Sequence, residues 1–518
     1  MRGEFEAAVI GYGPTGLVLA SLLGRLGHRV LVVEKWPTLY GLPRLTHIDG
    51  ETARLLSFAC DIDHALHDSS PIDSCVFYDA RGRPLVDAAD VPTLPMGYPA
   101  HISIHQPDIE CALDQRIRDL SNVTVKQGAE LVGLRLESNQ AELKIRTQER
   151  DETARARFVF GADGARSFVR DCLGIERQDF GFNERWLNID TERKRELPRA
   201  FAETKVHCDP ARGYMFMPIG KARQRFEFAL LSHEDTKTME QPATAWRILK
   251  QYHNIGPDDV SIIRQTVYTF EGRLATSWRR GVALLGGDAA HTMPPYLGQG
   301  ACSGIRDAAN VAWKLHLVLK GRATADLLDS YETERRPHVS NITKTSIMFG
   351  KIANTRSRVV AAVRNAAFRT NLMPPPPPFP PFPAGIIESR KGAAKKAVGT
   401  VPPQGYVAVK GKRGRLDEHA GYNFALIARS NPFRTLSPSQ IGFLQTLRCR
   451  VFTLADDAAM GVERLFDSDG IYTKYLDQFK AAAMLTRPDT NLFGFATDAT
   501  DLPRLIDELM TKLCWREQ

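Results

Sequence analysis

Residues Gly286 to Leu319 read GGDAAHTMPPYLGQGACSGIRDAANVAWKLHLVL. Just before them, Val282, Ala283, Leu284 and Leu285 form a short apolar run that suits a buried strand. Asp288 lies past its end, where a carboxylate can accept hydrogen bonds from ligand hydroxyls. Pro294 and Pro295 restrict the backbone and remove two donors, so the loop holds one shape. Gly298 and Gly300 leave no side chain between backbone and ligand. Downstream, Ile305, Ala308, Val311, Ala312, Leu315, Val318 and Leu319 recur at helical spacing. The pattern predicts a helix starting near Ala301, with its first N–H groups directed back into the loop. Such a helix start stabilises negative charge.

The N-terminus supplies a partner for this stretch. An apolar strand, Ala7 to Ile10, runs into Gly11-Tyr12-Gly13-Pro14-Thr15-Gly16, which matches GxGxxG. A helical pattern follows through Leu17, Leu19, Ala20, Leu22, Leu23 and Leu26, closing at Gly27. A second strand, Arg29 to Val33, ends at Glu34, with Lys35 beside it. Strand, glycine turn, helix, strand and an acid about 20 residues on form a dinucleotide fingerprint. Gly11, Gly13 and Gly16, with Pro14 and Thr15 between them, would let a pyrophosphate approach the backbone. Glu34 would take ribose hydroxyls, and Lys35 is grouped with these cofactor residues. The alternative is a glycine turn in a ligand-free sheet.

A third stretch, Phe158 to Arg170, reads FVFGADGARSFVR: a strand ending near Asp163-Gly164, then a short helix. The three stretches in this order resemble the class A flavoprotein monooxygenases, the p-hydroxybenzoate hydroxylase-like family. The resemblance is strongest to the 3-(3-hydroxyphenyl)propionate hydroxylase branch. It is carried by LPRLTHIDGE (Leu42 to Glu51), HQPDIECAL (His105 to Leu113), GQGACSGIRDAANVAWKL (Gly298 to Leu315) and SYETERRPHV (Ser330 to Val339). It implies an α/β fold: a Rossmann-like FAD-binding domain with an interleaved β-sheet substrate domain. It also implies a thioredoxin-like C-terminal domain.

The resemblance further implies FAD as cofactor and NADPH or NADH as reductant. Asp163, Asp288, Pro295, Gly298, Gly300 and Ala301 would then meet the cofactor. Arg44 would lie beside the pyrophosphate, where the nicotinamide approaches. Gln106 would touch the flavin chain, and Leu131 would offer backbone near the adenine. His47 reads either as a ring-pocket residue or as a packed polar one. Arg44, His47 and Pro295 are the residues expected at the chemistry. His291 reads as structural.

The substrate would be a small aromatic ring, a phenol bearing a short acidic side chain in the resembled branch, with dioxygen as co-substrate. Reduced flavin would capture oxygen, and the flavin hydroperoxide would hydroxylate the ring. A flavin halogenase is argued against because no two tryptophans stand two apart as in WxWxIP. A Baeyer–Villiger oxygenase of the same fold stays open. So does a flavin-bound redox sensor or scaffold, for which a proline-rich linker is the one supporting feature.

Between the second and third motifs, from 173 to 276, the pattern turns to strands, in YMFMPIG, RQRFEFALL and SIIRQTVYTF. Alternation is visible in Arg225, Phe226, Glu227 and Phe228. An insert here reads as a sheet that roofs the flavin, with Tyr214, Phe216, Arg225, Phe226, Tyr268 and Pro294 as candidates to contact substrate. For each aromatic the alternative is core packing. The expected division is residues 1–172 and 277–372 for the cofactor domain, 173–276 for the substrate sheet, 373–385 for a linker and 386–518 for the last domain. The linker holds MPPPPPFPPFP, Met373 to Pro383, a stiff polyproline segment. In the last domain, strand-like Asn423 to Ala428 and Arg450 to Thr453 precede a helical piece at Tyr475 to Phe479. A hairpin around Pro488-Asp489 and a helix from Leu502 to Leu513 follow. The resemblance implies a structural or homodimer-forming role there. Cys449 and Cys514 stand alone, without the redox pair of a working thioredoxin.

The net charge of +8 comes without a compact basic run, so a solvated basic surface, not nucleic-acid binding, is expected. Eight scattered cysteines, none in CxxC or at ligand spacing, argue against a metal site and suit a reducing compartment. No cleavable leader or membrane-long apolar run is read, so no membrane partner is expected and the cytoplasm is the expected place.

Overall fold

The computed structural model describes residues 4–89, 94–370, 379–389 and 396–516. Strand β1 (Glu4–Ile10) passes through Gly11, at φ +103°, into α1 (Pro14–Arg25). Pro14 occupies the first turn of α1, where its missing N–H costs no helix bond. The chain returns as β2 (Val30–Glu34), parallel to β1. After α2 (Gln106–Arg118), β3 (Val123–Gln127) adds beside β2. A meander of β4 (Glu130–Leu136), β5 (Ala141–Arg146) and β6 (Asp151–Gly161) brings the chain back along β1.

A second sheet then intervenes. It is built on the long antiparallel pair β7 (Arg177–Arg193) and β10 (Val260–Ala275), with β8 (Tyr214–Ile219), β9 (Arg223–Ala229) and α3 (Pro242–His253) between them. The first sheet resumes with β11 (Ala283–Leu285), parallel to β6, giving the order β11-β6-β1-β2-β3. The helices α4 (Gly300–Leu319) and α5 (Asp329–Ala353) follow, and α4 packs on α1. The central strands of this sheet are buried on both faces, as a parallel sheet covered by helices requires.

The two faces of the second sheet differ in chemistry. One face carries Leu187, Ile189, Phe216, Phe226 and Phe228, which pack on Ala245, Ile248 and Leu249 of α3. Tyr214 packs on this same cluster. The other face carries Trp186, Asn188, Met215, Met217, Arg225 and Glu227 toward the cavity described below. Tyr214, Phe216 and Phe226 therefore do not line the cavity, where the sequence placed them as candidates. In a strand successive side chains alternate faces, and α3 claims the aromatic one. The apolar spacing of Ala245, Ile248, Leu249 and Tyr252 was the signal for α3.

The C-terminal unit runs β12 (Ala425–Ala428), α6 (Pro438–Thr446), β13 (Arg450–Thr453), α7 (Ile471–Gln478), β14 (Ala483–Thr486), β15 (Leu492–Ala496) and α8 (Leu502–Lys512). Beyond a short edge strand, Glu463–Arg464, which runs parallel to β13, the order is β13-β12-β14-β15, with β12 and β13 parallel and the other pairs antiparallel. Helix α6, closed by a capping box at Ser437 and Gln440, was not anticipated. Buried ion pairs tie the unit to the rest: Arg487 to Glu334 at 2.8 Å, and Arg54 to Asp417 at 2.8 Å. Of the polyproline segment, residues 373–378 lie outside the described residues. Among the described residues no helix is long and apolar enough to cross a membrane.

Candidate active site

A continuous cavity of about 2700 Å³ runs from the first turn of α1, past the end of β2 and the Pro295 loop, to the inner face of the second sheet. Small-molecule sites are typically about 300–1,000 Å³, so this one has room for a dinucleotide and a further ligand.

At the α1 end, a β-carbon on Gly13 would meet nothing within 4 Å, so this glycine faces open cavity beside the helix N-terminus. Gly16 serves packing instead. A β-carbon there would stand 2.1 Å from the Gly11 carbonyl oxygen, so only glycine lets the helix sit this close to the strand end. Thr15 borders the cavity but also wedges between two glycines of the later motif. β-Carbons on Gly287 and Gly304 would lie 2.6 and 2.2 Å from its Oγ1. Thus the first and third motifs interlock through Thr15.

Glu34 is pinned at the end of β2. Its Oε2 accepts from the Tyr12 N–H at 2.8 Å and its Oε1 from the Trp36 N–H at 2.9 Å. Lys35 stands exposed at the rim, over the Trp36 ring. Leu131 borders the cavity from β4. Asp163 is a helix cap as well as a lining residue. It accepts from Ser167 Oγ at 2.5 Å and from the Val169 N–H at 3.0 Å.

The Arg44 segment is held from two sides. Gln106 Oε1 accepts from the N–H groups of Arg44 and Leu45, and the Arg225 guanidinium donates to the carbonyls of Pro43 and Arg44 at 2.9 and 2.8 Å. Arg225 also donates to Asp190 at 2.6 Å, so its charge is spent internally. It borders the cavity, as the sequence reading placed it, and clamps this segment at the same time. The Arg44 guanidinium itself is exposed to the cavity and lies over the Tyr40 ring at 3.6 Å.

Asp288 opens its carboxylate into the cavity while protein walls it in, and that burial raises its pKa above the usual carboxylate range. The loop behind it is fixed by His291, whose Nε2 lies 2.7 Å from Asp307, itself paired with Arg335 at 2.9 Å. Pro295 is exposed to the cavity, whereas Pro294 is buried behind the loop and its carbonyl accepts from Ser346 Oγ at 2.7 Å. Pro294 therefore packs behind the loop and does not line the cavity. Gly298, at φ +64°, covers His47, and a β-carbon there would lie 2.5 Å from His47 Nδ1. Burial, with His101 next to it, pushes the His47 pKa down to about 4, so this ring is neutral near pH 7. Helix α4 begins at Gly300, with Ala301 also lining the cavity and no side chain capping its first turn. A β-carbon on Gly300 would meet only Met293, at 3.9 Å. Two helix starts with bare glycines, a walled-in carboxylate and a free guanidinium fit an anionic dinucleotide.

Residues 4–346 match the family described as FAD binding domain, and residues 399–512 match the HcaD C-terminal domain. Over 524 residues the chain is 33% identical to a probable NADH-specific resorcinol 4-hydroxylase of Rhodococcus jostii (strain RHA1), covering 98% of this chain and 95% of that one. This chain belongs to the FAD-dependent aromatic hydroxylases. A second relative of the hydroxylase is the 3-(3-hydroxy-phenyl)propionate/3-hydroxycinnamic acid hydroxylase of Escherichia coli (strain K12). The two are 31% identical over 529 residues, 98% of this chain and 94% of the relative. In fold, the hydroxylase matches the flavin-dependent monooxygenase PieE, solved with FAD and substrate, at TM-score 0.80 and 19% identity over 99% of both chains. It also matches aklavinone-11 hydroxylase, solved with FAD and aklavinone, at TM-score 0.78 and 20% identity over 99% of this chain and 100% of that one.

Tyr268 borders the end of the cavity under the second sheet, and its hydroxyl accepts from Arg264 at 2.6 Å. Sequence reasoning missed its neighbours there: Trp186, Asn188, Met215, Met217, Glu227 and Tyr296. The alternation in YMFMPIG was the available signal, with the methionines on the face opposite Tyr214 and Phe216.

Proposed function

We propose that the hydroxylase uses NADH or NADPH and dioxygen to hydroxylate a phenolic ring held between the Pro295 loop and the inner face of the second sheet. The observation that carries this reading is the single cavity joining the dinucleotide end to that face. The relative named as NADH-specific favours NADH.

FAD, when bound, supplies hydride acceptance and oxygen activation. The α1 start at Gly13 would hold its pyrophosphate, Glu34 its ribose and Asp288 further hydroxyls. Leu131 would lie at the adenine. Arg44, kept in place by Gln106 and Arg225, would sit beside the phosphates. The Gly300 and Ala301 N–H groups would favour negative charge on the reduced ring. Pro295 and the sheet would exclude water from the ring. His47, neutral, would pack under Gly298 and bring no charge.

We read the C-terminal unit as thioredoxin-like, on its β13-β12-β14-β15 order, with helices connecting β12 to β13 and β13 to β14 and a hairpin joining β14 to β15. Its role in this reading is structural or homodimer-forming. Turnover with isotopically labelled dioxygen tests the function. A labelled hydroxyl on the ring, formed with NADH consumption, is expected. Label in an ester or lactone would indicate Baeyer–Villiger chemistry, and peroxide as the sole product would refute oxygen transfer.

A further inference from the structure

The inner face of the second sheet carries a defined charge pattern. Strand register sets Asn188 of β7 directly across from Glu227 of β9, with Thr266 and Met215 completing that row. The next row sets Asp190 across from both Arg225 and Arg264. Asp190 is fully buried and takes Arg225 at 2.6 Å and Arg264 at 2.8 Å, so those two cations are spent on one carboxylate. Glu227 has no such close pairing among the described residues. The nearest guanidinium nitrogen of Arg225 is 3.8 Å away. Its one hydrogen bond among the described residues comes from Asn188 Nδ2 to Oε1, at 3.0 Å. Asn188 Oδ1 is buried with no hydrogen-bond partner among the described residues. Both residues border the cavity.

A buried polar atom without a partner costs about 1–3 kcal/mol, so such groups point to something that satisfies them. Here the unsatisfied atom is the Asn188 acceptor, and beside it stands the Glu227 carboxylate with a single hydrogen bond among the described residues. A carboxylate-bearing ligand set against them would meet repulsion, and the two arginines of the neighbouring row are ion-paired to Asp190, with Arg264 Nη2 the one donor there that makes no hydrogen bond among the described residues. A hydroxyl group donates a hydrogen bond and brings no charge.

We propose that Glu227 and Asn188 are the specificity-determining pair of the substrate cavity, accepting hydrogen bonds from hydroxyl groups of a neutral polyhydroxylated ring. This rests on the phenol-hydroxylating reading above and chooses within it. It favours resorcinol-like rings over rings with an acidic side chain, the class implied by the resembled branch.

The acceptor role is strongest when Glu227 is ionised, because a carboxylate accepts more strongly than a neutral carboxyl and offers no competing O–H. Burial raises its pKa to about 7, with Asp190 adding to the rise and Arg225, Arg264 and the Asn188 hydrogen bond opposing it. Tyr296, from the proline loop, is the other titratable group close enough to feel its charge. Hydroxyl binding should therefore be strongest above about pH 7 and weaken as pH falls below it.

The test is ligand titration of the oxidised holoenzyme, followed by perturbation of flavin absorbance, with resorcinol and 3-(3-hydroxyphenyl)propionate as probes. Wild type should bind resorcinol at least about tenfold more tightly, and that affinity should fall as pH drops through about 7. Glu227→Gln should lose both the preference and the pH dependence. Glu227→Asp, with its carboxylate drawn back, should bind more weakly but keep the pH dependence. FAD content and melting temperature check that each variant is folded. Tighter binding of the propionate, or an unchanged resorcinol pH profile in Glu227→Gln, would overturn the assignment while leaving phenol hydroxylation standing. If neither ring binds and neither is hydroxylated, both readings fall.

Discussion

Gln106 holds the backbone of Arg44. Its single Oε1 accepts from the Arg44 N–H at 3.0 Å and from the Leu45 N–H at 2.7 Å, while its Nε2 donates to Glu110 at 2.6 Å. On this side the segment that carries the Arg44 guanidinium is fixed by one buried amide, with Arg225 holding its carbonyls from the other. Gln106→Leu would leave two N–H groups unpaired, at about 1–3 kcal/mol for each that stays buried. We expect the apoprotein to bind FAD about tenfold or more weakly, read by quenching of flavin fluorescence. Wild-type affinity would place Arg44 outside the cofactor site.

The sequence made the dinucleotide half of the site legible because glycine positions and strand–helix order are local features. Gly13 and Asp288 needed no knowledge of distant contacts. The substrate half was less legible for a definable reason. Period-two alternation in Arg225-Phe226-Glu227-Phe228 separates two faces but does not say which one meets a ligand. Aromatics were assigned inward, yet α3 covers them, and the polar side faces the cavity. Arg225 likewise looked available until Asp190, thirty-five residues away in the chain, was seen to engage it.

Helix α4 gives a prediction about potential. At Gly300 an added β-carbon would have only Met293 within 4 Å, outside the neighbouring turns of α4, so the fold should tolerate Gly300→Val. Helix-end stabilisation of a charge is about 0.3–1 kcal/mol when exposed and up to about 2 when partly buried. For a two-electron couple 1.4 kcal/mol corresponds to about 30 mV. FAD-saturated Gly300→Val should show a midpoint potential lower by tens of millivolts in a dye-equilibrated titration, and should release more peroxide per NADH. Unchanged potential and unchanged coupling would mean that α4 does not face the flavin.

Docking of the C-terminal unit should be acid-sensitive. Burial alone would raise the Glu334 pKa, but Arg487 and Lys314 outweigh it and hold it down to about 2. A lowered carboxylate pKa contributes stability that is fully present above the unfolded value of 4.5 and is lost as pH falls toward 2. Glu334→Gln should flatten the melting temperature across that acid window. Near pH 7 it should cost about 3–5 kcal/mol, because Arg487 and Lys314 lose their buried partner. A wild-type acid profile in the variant would show that this cluster does not fasten the unit.

No thiol chemistry is expected from that unit. Burial pushes the Cys449 thiol up to about 12, which leaves almost no thiolate near pH 7. The double variant Cys449→Ser, Cys514→Ser should turn over like wild type, with or without added dithiothreitol. Loss of activity in a folded double variant would give the unit a redox role.

The seat of the FAD pyrophosphate over the first turn of α1 is tested most directly by Gly13→Val. Gly13 has extended backbone angles that any residue adopts, and its β-carbon would enter open cavity, so the variant should fold and melt like wild type. Gly16→Val is the control for a packing glycine, since its β-carbon would collide with the Gly11 carbonyl, and it should misfold. The decisive measurement is the FAD content of purified Gly13→Val, with the affinity of its apoprotein for added FAD. We predict a colourless, folded protein that binds FAD at least about a hundredfold more weakly, about 2.7 kcal/mol or more. A yellow Gly13→Val protein with wild-type FAD content and affinity would contradict the assignment.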